Sequence, residues 1–366
     1  MSSVSTTRAD TVLDIRDLRI EFPVYQGAVR ALDGVSLQVG AGELVGVVGE
    51  SGCGKSVTSM LALRLLPKGS YRVVSGQVGL LGHDALTASE ATMRSLRGGR
   101  VSLVFQEPLT ALNPTRRVGE QMLEVIRRHQ KDQTPTAGTS PAGPPRGRMG
   151  LGAARRPMDK AAALAHAEQL LTDMRVADPA EVLRRYPFEL SGGMRQRVLI
   201  ALAFSGDPAL IVADEPTTAL DVTVQQQVLG LLRERARRSG TAVLLITHDM
   251  GVISQYTDRV YVMYAGRVVE SGPTAQVLEL PAHPYTRALL QALPEQAPPK
   301  SRLPAIAGGV PDLRHPPAGC AYQARCGQSL LRCDTRPAMA SLSSVSSEAS
   351  ERRVACWLYT RQEQAA

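Results

Sequence analysis

The sequence predicts an α/β fold: a parallel sheet core, an antiparallel β layer beside it, a helical subdomain, and a small cysteine-containing C-terminal extension. Two observations carry the core. The short apolar runs "LVGVV" at 44–48, "ALIVA" at 209–213 and "AVLLI" at 242–246 have the length and branching of strands buried on both faces. Between the last two lies a helical stretch, "VTVQQQVLGLLRERARR", which makes a βαβ crossover. A third observation adds the layer: "LDIRDLRIEF" and "ALDGVSLQV" alternate apolar with polar residues, as antiparallel strands do.

The first buried strand runs directly into "GESGCGKS", which fits G-x-x-x-x-G-K-[ST] from Gly49 to Ser56. In that pattern the glycines Gly49, Gly52 and Gly54 let the backbone fold tightly with its N–H groups inward, and a helix begins at the lysine. Ser51, Cys53 and Val57 are the remaining positions expected to line such a cradle. Lys55 would reach the β- and γ-phosphates, the Ser56 hydroxyl would ligate Mg²⁺, and the helix start adds partial positive charge. A plain glycine-rich turn is the alternative, and ordinary residue frequencies put a chance match at roughly a few per cent.

Farther along, "VGEQMLEVIRR" (118–128) and "DKAAALAHAEQLLTDM" (from about 159) have helical periodicity. Residues 132–158 between them are rich in Pro, Gly, Ala and Arg without periodicity, and are expected to be a disordered insert. The strand of "ALIVADEPTTALD" ends in two consecutive carboxylates, Asp214 and Glu215. At the C-terminal edge of a parallel sheet the first can support Mg²⁺ while the second faces a nucleophilic water. An acidic turn after a strand is common alone; downstream of a phosphate loop it acquires a chemical use. Beyond residue 270 the chain turns Pro-rich, which marks a boundary near 270 to 280.

Composition narrows the classes. At 366 residues and 43% apolar, the chain can bury a large core in about two domains and is not wholly disordered. No apolar run approaches the 18 or so residues of a membrane span, and the polar start "MSSVSTTRAD" is not expected to be a signal peptide. The net charge of +8 is diffuse, and with only 4% aromatics no basic stripe interleaved with stacking rings is visible, so no nucleic-acid partner is expected.

"LSGGMRQR" at 190–197 resembles the signature motif of ATP-binding-cassette (ABC) ATPases, and "ITHD" resembles their switch segment at His248. With the phosphate loop, "VFQEP" and "TALD", the motifs fall in that family's order over roughly residues 11–275. The resemblance implies a P-loop NTPase cassette with a RecA-like core, hydrolysing MgATP. It also implies that two cassettes sandwich ATP head to tail. Ser191, Gly192 and Gly193, which open a helix and so form a second anion site, would then serve the partner's nucleotide. Gln106 would touch Mg²⁺ and the attacking water, His248 would hydrogen-bond the γ-phosphate, and Asp221 would lie at the dimer contact. For the adenine, the family's aromatic ring corresponds to Tyr25, with Phe22 the alternative.

The wording around these motifs, and "HPYTRALLQALP" at 283–294, is similar to the ATP-binding subunits of bacterial dipeptide, oligopeptide and nickel importers. That narrower resemblance implies a cassette over 11–275, a helical subdomain over about 107–200 holding the 132–158 insert, and a transporter-type extension over 276–366. Glu107, where the subfamily usually has aspartate, and the long insert are departures outside the catalytic set. Implied partners are a second ABC ATPase subunit, favoured as a related chain over a copy of this one, two transmembrane permease subunits and an extracytoplasmic substrate-binding protein. The implied location is the cytoplasmic face of the inner membrane. A nickel, opine or other metal-chelate importer is the alternative cargo class. A soluble cassette acting on DNA or ribosomes would normally carry two cassettes or a large coiled coil. A catalytically dead regulatory cassette is opposed by intact Lys55, Asp214, Glu215 and His248.

Four of the five cysteines, Cys320, Cys326, Cys333 and Cys356, fall in the last 50 residues, which in a reducing compartment argues for metal. Their spacing lacks the paired C-x₂₋₄-C knuckles usual for zinc, whereas iron–sulfur clusters accept more varied spacings. The importer resemblance favours a [4Fe–4S] cluster as a structural staple, with Zn²⁺ and then free or disulfide-bonded thiols as alternatives.

Overall fold

The computed structural model describes residues 11–25, 27–105, 111–132, 158–218, 220–293, 305–342 and 352–359. Two compact units divide the chain: Met1–Ala88 with Val212–Glu215 and Ala242–Ala366, and Ser89–Ile211 with Pro216–Thr241. Gln106, Glu107 and nearly all of the 132–158 insert lie outside the described residues.

In the first unit, strands β1 (Thr11–Val24) and β2 (Gly27–Gly40) pair as an antiparallel hairpin, with Leu13 opposite Val39 and Ile20 opposite Leu32. With β4 (Arg72–Leu80) and β5 (His83–Asp84) they form a sheet in the order β2-β1-β4-β5. The alternation is read out directly: Leu13, Ile15, Leu18 and Ile20 are buried, and a bulge at Asp17, in left-handed backbone (φ 42°), resets the register after Ile15.

The wholly apolar runs form the centre of the second sheet. β3 (Leu44–Val48) lies between β8 (Ala242–Thr247) and β9 (Arg259–Tyr264), parallel to both, and every residue of β3 and β8 is buried. Within this unit the order is β11-β12-β10-β9-β3-β8-β7, where β7 is Leu210–Asp214 and β10 is Arg267–Pro273. Helices α1 (Lys55–Ala62), α8 (Met250–Tyr256), α9 (Thr274–Glu279) and α10 (Pro284–Gln291) also belong to this unit.

The C-terminal residues are not a separate body. Two-residue strands β11 (Ala340–Ser341) and β12 (Arg353–Val354) extend the main sheet beyond β10, with Glu270 opposite Val354. The fully buried Glu270 carboxylate accepts from Arg352 Nη2 and from the Ala282 and His283 N–H groups, each at 2.9 Å. A buried carboxylate needs such a full set of donors, and this one ties the C-terminal strand to the core. Tyr264, Tyr285 and Tyr322 pack with Val48, Ile253 and Val262 in one cluster, against which Cys320 and Cys326 lie. The Pro-rich composition near 270 to 280 therefore marks a change of sequence character inside one packed unit.

His283 is buried and caps α10, its Nδ1 accepting from the Tyr285 N–H at 3.0 Å. Burial, reinforced by the Arg287 charge, pushes its pKa down to about 3. The unfolded chain takes up a proton near the ordinary value of about 6.5 that the native imidazole refuses. This contribution to stability is therefore complete above pH 6.5 and is lost as pH falls toward 3, at up to about 1.4 kcal/mol per pH unit. The thermal midpoint is expected to drop between pH 7 and pH 5, and His283→Asn, which keeps a capping acceptor, to flatten that slope. An unchanged slope in the variant contradicts the assignment.

The second unit is mainly helical: α2 (Glu90–Leu96), α3 (Val118–Asp132), α4 (Lys160–Asp173), α5 (Pro179–Arg184), α6 (Gly192–Phe204) and α7 (Val222–Ser239), with β6 (Val101–Val104). Side-chain caps set the starts: Ser89 accepts from the Thr92 N–H at 3.1 Å and Asp159 from the Ala162 N–H at 2.7 Å. α3 runs one turn past the predicted end at Arg128 because "HQKD" continues it without a breaker. Gly119 is required by a close approach, since a Cβ there would meet the Leu183 carbonyl at 2.7 Å.

Candidate active site

The loop from Gly49 to Gly54 leaves β3 and enters α1 at Lys55, where the sequence places the turn. Glycine is needed at both ends. Gly54 has φ +101°, and a Cβ there would meet the Ala31 carbonyl at 2.7 Å; at Gly49 (φ +159°) it would meet the Met263 carbonyl at 2.1 Å. Cys53, Gly54 and Lys55 are buried, while Ser51, Gly52 and Ser56 face solvent and Val57 is half-buried. The Lys55 ammonium donates to the Gly49 and Glu50 carbonyls at 2.8 and 3.1 Å, which holds the cation inside the loop's curve. The Glu50 N–H donates to the Tyr285 hydroxyl at 2.9 Å, so α10 helps to set the loop. Burial raises the Tyr285 hydroxyl's pKa far beyond its ordinary value and keeps it neutral.

Asp214 ends β7 and Glu215 follows it, and the fold brings the first to the loop. Ser56 Oγ donates to Asp214 Oδ1 at 3.1 Å. Burial pushes the Asp214 carboxyl up; the Ser56 bond pulls it down, and the Glu215 charge adds to the rise. A hydroxyl and a carboxylate at this separation are the hard oxygen ligands that Mg²⁺ takes, and a dication there reverses the penalty on the Asp214 charge. Glu215 adopts left-handed backbone (φ 46°), an uncommon conformation for a residue with a side chain, and its N–H donates to the Ile246 carbonyl at 2.8 Å. Its Oε1 lies 3.3 Å from His248 Nδ1. His248 follows β8, and the next residue, Asp249, caps α8 by accepting from the Gly251 N–H at 2.8 Å. The Gly49–Ser56 loop, Asp214, Glu215 and His248 thus belong to one unit.

Tyr25 projects at the β1–β2 turn with 92% of its surface exposed, whereas Phe22 is engaged with Tyr71 at 6.4 Å between ring centres. In the second unit Ser191 caps α6, its hydroxyl accepting from the Met194 N–H at 3.3 Å, and Asp221 caps α7 by accepting from the Val224 N–H at 3.0 Å. Gly193 is needed where it stands, because a Cβ would lie 2.6 Å from Val224 Cγ1. Glu50 and Tyr285 are the loop partners that the sequence does not reveal; they are 235 residues apart and no motif links them.

Residues 32–218 match the family model described as ABC transporter, about half of the chain. This chain belongs to the ABC transporter family. The match to a model described as "Oligopeptide/dipeptide transporter, C-terminal region" covers residues 269–333 of this ABC ATPase. It is 54% identical over 352 residues to the probable D,D-dipeptide transport ATP-binding protein of Escherichia coli (strain K12), covering 96% of this chain and 98% of the relative. It is 42% identical over 325 residues to the dipeptide transport ATP-binding protein of Bacillus subtilis (strain 168), covering 89% of each. Among solved structures, a dimeric ATP-binding cassette in a post-hydrolysis state bound to ADP and Pi superposes with a TM-score of 0.56 at 23% identity. The overlap covers 72% of this chain and 98% of that one, and shows the same fold.

The cysteine expectation fares differently. Cys320, Cys326, Cys333 and Cys356 do line one small pocket with Tyr322, Leu330 and Trp357. Burial, opposed by backbone hydrogen bonds and aided by the neighbouring sulfurs, raises the Cys320 and Cys356 thiol pKa values. Yet among the described residues no three His, Cys, Asp or Glu side chains are grouped so as to hold a metal ion. The expected zinc alternative, which gathers its thiolates at about 2.3 Å from one centre, is not carried by this geometry. The expected [4Fe–4S] cluster is not shown by this grouping either.

Proposed function

We propose that this ATPase energises import of di- or oligopeptides through two separate permease subunits, at the cytoplasmic face of a bacterial inner membrane. A second ATP-binding subunit and an extracytoplasmic binding protein complete the assembly. The observation that carries the reading is full-length likeness, extension included, to peptide-transport ATP-binding proteins. Among the described residues no helix is long and apolar enough to cross a membrane, consistent with a pore supplied by other chains.

The proposed roles rest on the family's motif order, and for the loop, Asp214, Glu215 and His248 also on the contacts described above. The loop N–H groups of 49–54 and Lys55 bind the β- and γ-phosphates. Ser56 and Asp214 would hold Mg²⁺, which would supply neutralising charge at the phosphate oxygens. Glu215 accepts a proton from the attacking water as the water oxygen bonds the γ-phosphorus and the bond to the β-bridging oxygen breaks, releasing ADP. His248, 3.3 Å from Glu215, orients that carboxylate and the γ-phosphate. Gln106 completes the Mg²⁺ and water contacts. Tyr25 stacks on adenine, a role its exposure supports over that of Phe22. Ser191, Gly192, Gly193 and Asp221 act on the nucleotide held by the opposing cassette.

Uptake of labelled dipeptide tests the cargo. A strain lacking this chain is expected to lose uptake and regain it on complementation. Uptake of a nickel chelate or an opine lost in place of dipeptide identifies the other cargo class and refutes the peptide reading.

For the four cysteines the finer proposal is a [4Fe–4S] cluster, supported by four thiols facing one pocket and by a cluster's wider span than a single ion. Anaerobically purified chain is expected to be brown with about four irons; colourless, iron-free protein from the same preparation refutes it.

A further inference from the structure

Glu50 places a carboxylate inside the phosphate loop, one residue after Gly49. A negative side chain there opposes a polyanionic ligand. The structure gives this carboxylate a dedicated partner from the C-terminal extension, 275 residues away. Arg325 grips it through both oxygens, Nη1 to Oε2 at 2.7 Å and Nη2 to Oε1 at 3.1 Å.

The guanidinium is built into place. Its side chain is 4% exposed. Nε donates to the Ala307 carbonyl at 2.8 Å, Nη2 to the Ile306 carbonyl at 3.2 Å and Nη1 to the Tyr264 hydroxyl at 3.2 Å. The cation also lies over the rings of Tyr264 and Tyr322, at 5.7 and 5.9 Å. The bond to Glu50 raises its pKa against the effect of burial, so the positive charge is permanent. Arg325 stands on the short turn between Cys320 and Cys326, and that turn is pinned by the Cys320 N–H donating to the Cys333 carbonyl at 2.8 Å. Such a bidentate, enclosed pair fixes direction as well as charge.

We infer that Arg325 is a positioning residue for nucleotide binding: it neutralises Glu50 and holds that carboxylate to one side, so that the C-terminal extension sets the affinity of the phosphate loop. The inference rests on reading Gly49–Ser56 as the ATP phosphate loop. The competing role is a plain staple that fastens the extension to the core. The two differ in one consequence. If Arg325 acts through the Glu50 charge, removing that charge repairs the loss of the arginine; if it only staples, nothing at Glu50 restores what is lost.

MgATP affinity of the full chain, measured by titration calorimetry beside the thermal midpoint, separates them. Arg325→Gln is expected to weaken binding about tenfold, the scale of one uncompensated charge near the phosphates. Arg325→Gln with Glu50→Gln is expected to return to within about threefold of wild type, even where the midpoint stays low. A double variant as weak as the single one, or a folded Arg325→Gln variant that binds like wild type, overturns the inference. Should Arg325→Gln fail to fold, Arg325→Lys decides: it keeps the charge and is expected to bind close to wild type, and affinity reduced tenfold contradicts the charge argument. Lys55→Ala is the independent control. Loss of binding there with no change at Arg325 refutes only the positioning role, whereas unimpaired binding in Lys55→Ala refutes the phosphate-loop reading itself.

Discussion

Glu215→Gln is expected to bind MgATP nearly as the parent does and to turn it over slower by orders of magnitude, roughly the 10²–10⁴-fold that a positioned general base contributes. The substitution keeps the shape and the 3.3 Å neighbour relation to His248 while removing the group that takes the water's proton. It leaves untouched the cradle of Gly49–Ser56 and the Ser56–Asp214 pair at 3.1 Å, so the ground state loses little. The backbone at Glu215 has φ 46°, which glutamine must also adopt, so the thermal midpoint is the companion readout. A variant that hydrolyses ATP at the parental rate assigns the base elsewhere. One that loses nucleotide binding in parallel makes Glu215 part of the cradle.

Much of this site is legible in the sequence because its chemistry is local. "LVGVV" is apolar throughout because β3 is covered on both faces, and the glycines that follow stand where a Cβ would strike the Met263 or Ala31 carbonyl. Asp214 and Glu215 are adjacent in sequence because one strand end delivers both. Ser191 opens its helix as expected and caps it, while Asp221 and Asp249 prove to be helix caps as well. What stays hidden is made by distant pairings. Tyr285 meets the phosphate loop across 235 residues and Arg325 across 275, and nothing in the sequence marks either as a partner of that loop. The strands Ala340–Ser341 and Arg353–Val354 are two residues each, too short for any alternation to register, yet they continue the main sheet. The cysteines are only half legible. Their clustering is plain in the sequence, but spacing alone does not say how closely sulfur atoms gather, and here they share a pocket without grouping for a metal. Gln106, legible as a motif, lies outside the described residues.

By the proposed function, ATP is hydrolysed only where the Lys55 loop of one cassette meets the Ser191–Gly193 helix start of another. A lone chain holds both halves but, by this reading, presents them to different nucleotides. Ser56 and Asp214 meet at 3.1 Å within one chain, so by the proposed roles nucleotide binding would need only one chain. In the proposed assembly the helix start capped by Ser191 would serve an opposing chain's nucleotide. The most direct measurement is the specific ATPase activity of purified chain across a dilution series that takes it to a demonstrated monomer, repeated with its partner cassette and permease subunits added. The account predicts nucleotide bound but near-zero turnover in the monomer, with activity rising by orders of magnitude as assembly proceeds. Full-rate hydrolysis that stays constant with dilution, by a chain shown to be monomeric, would contradict it.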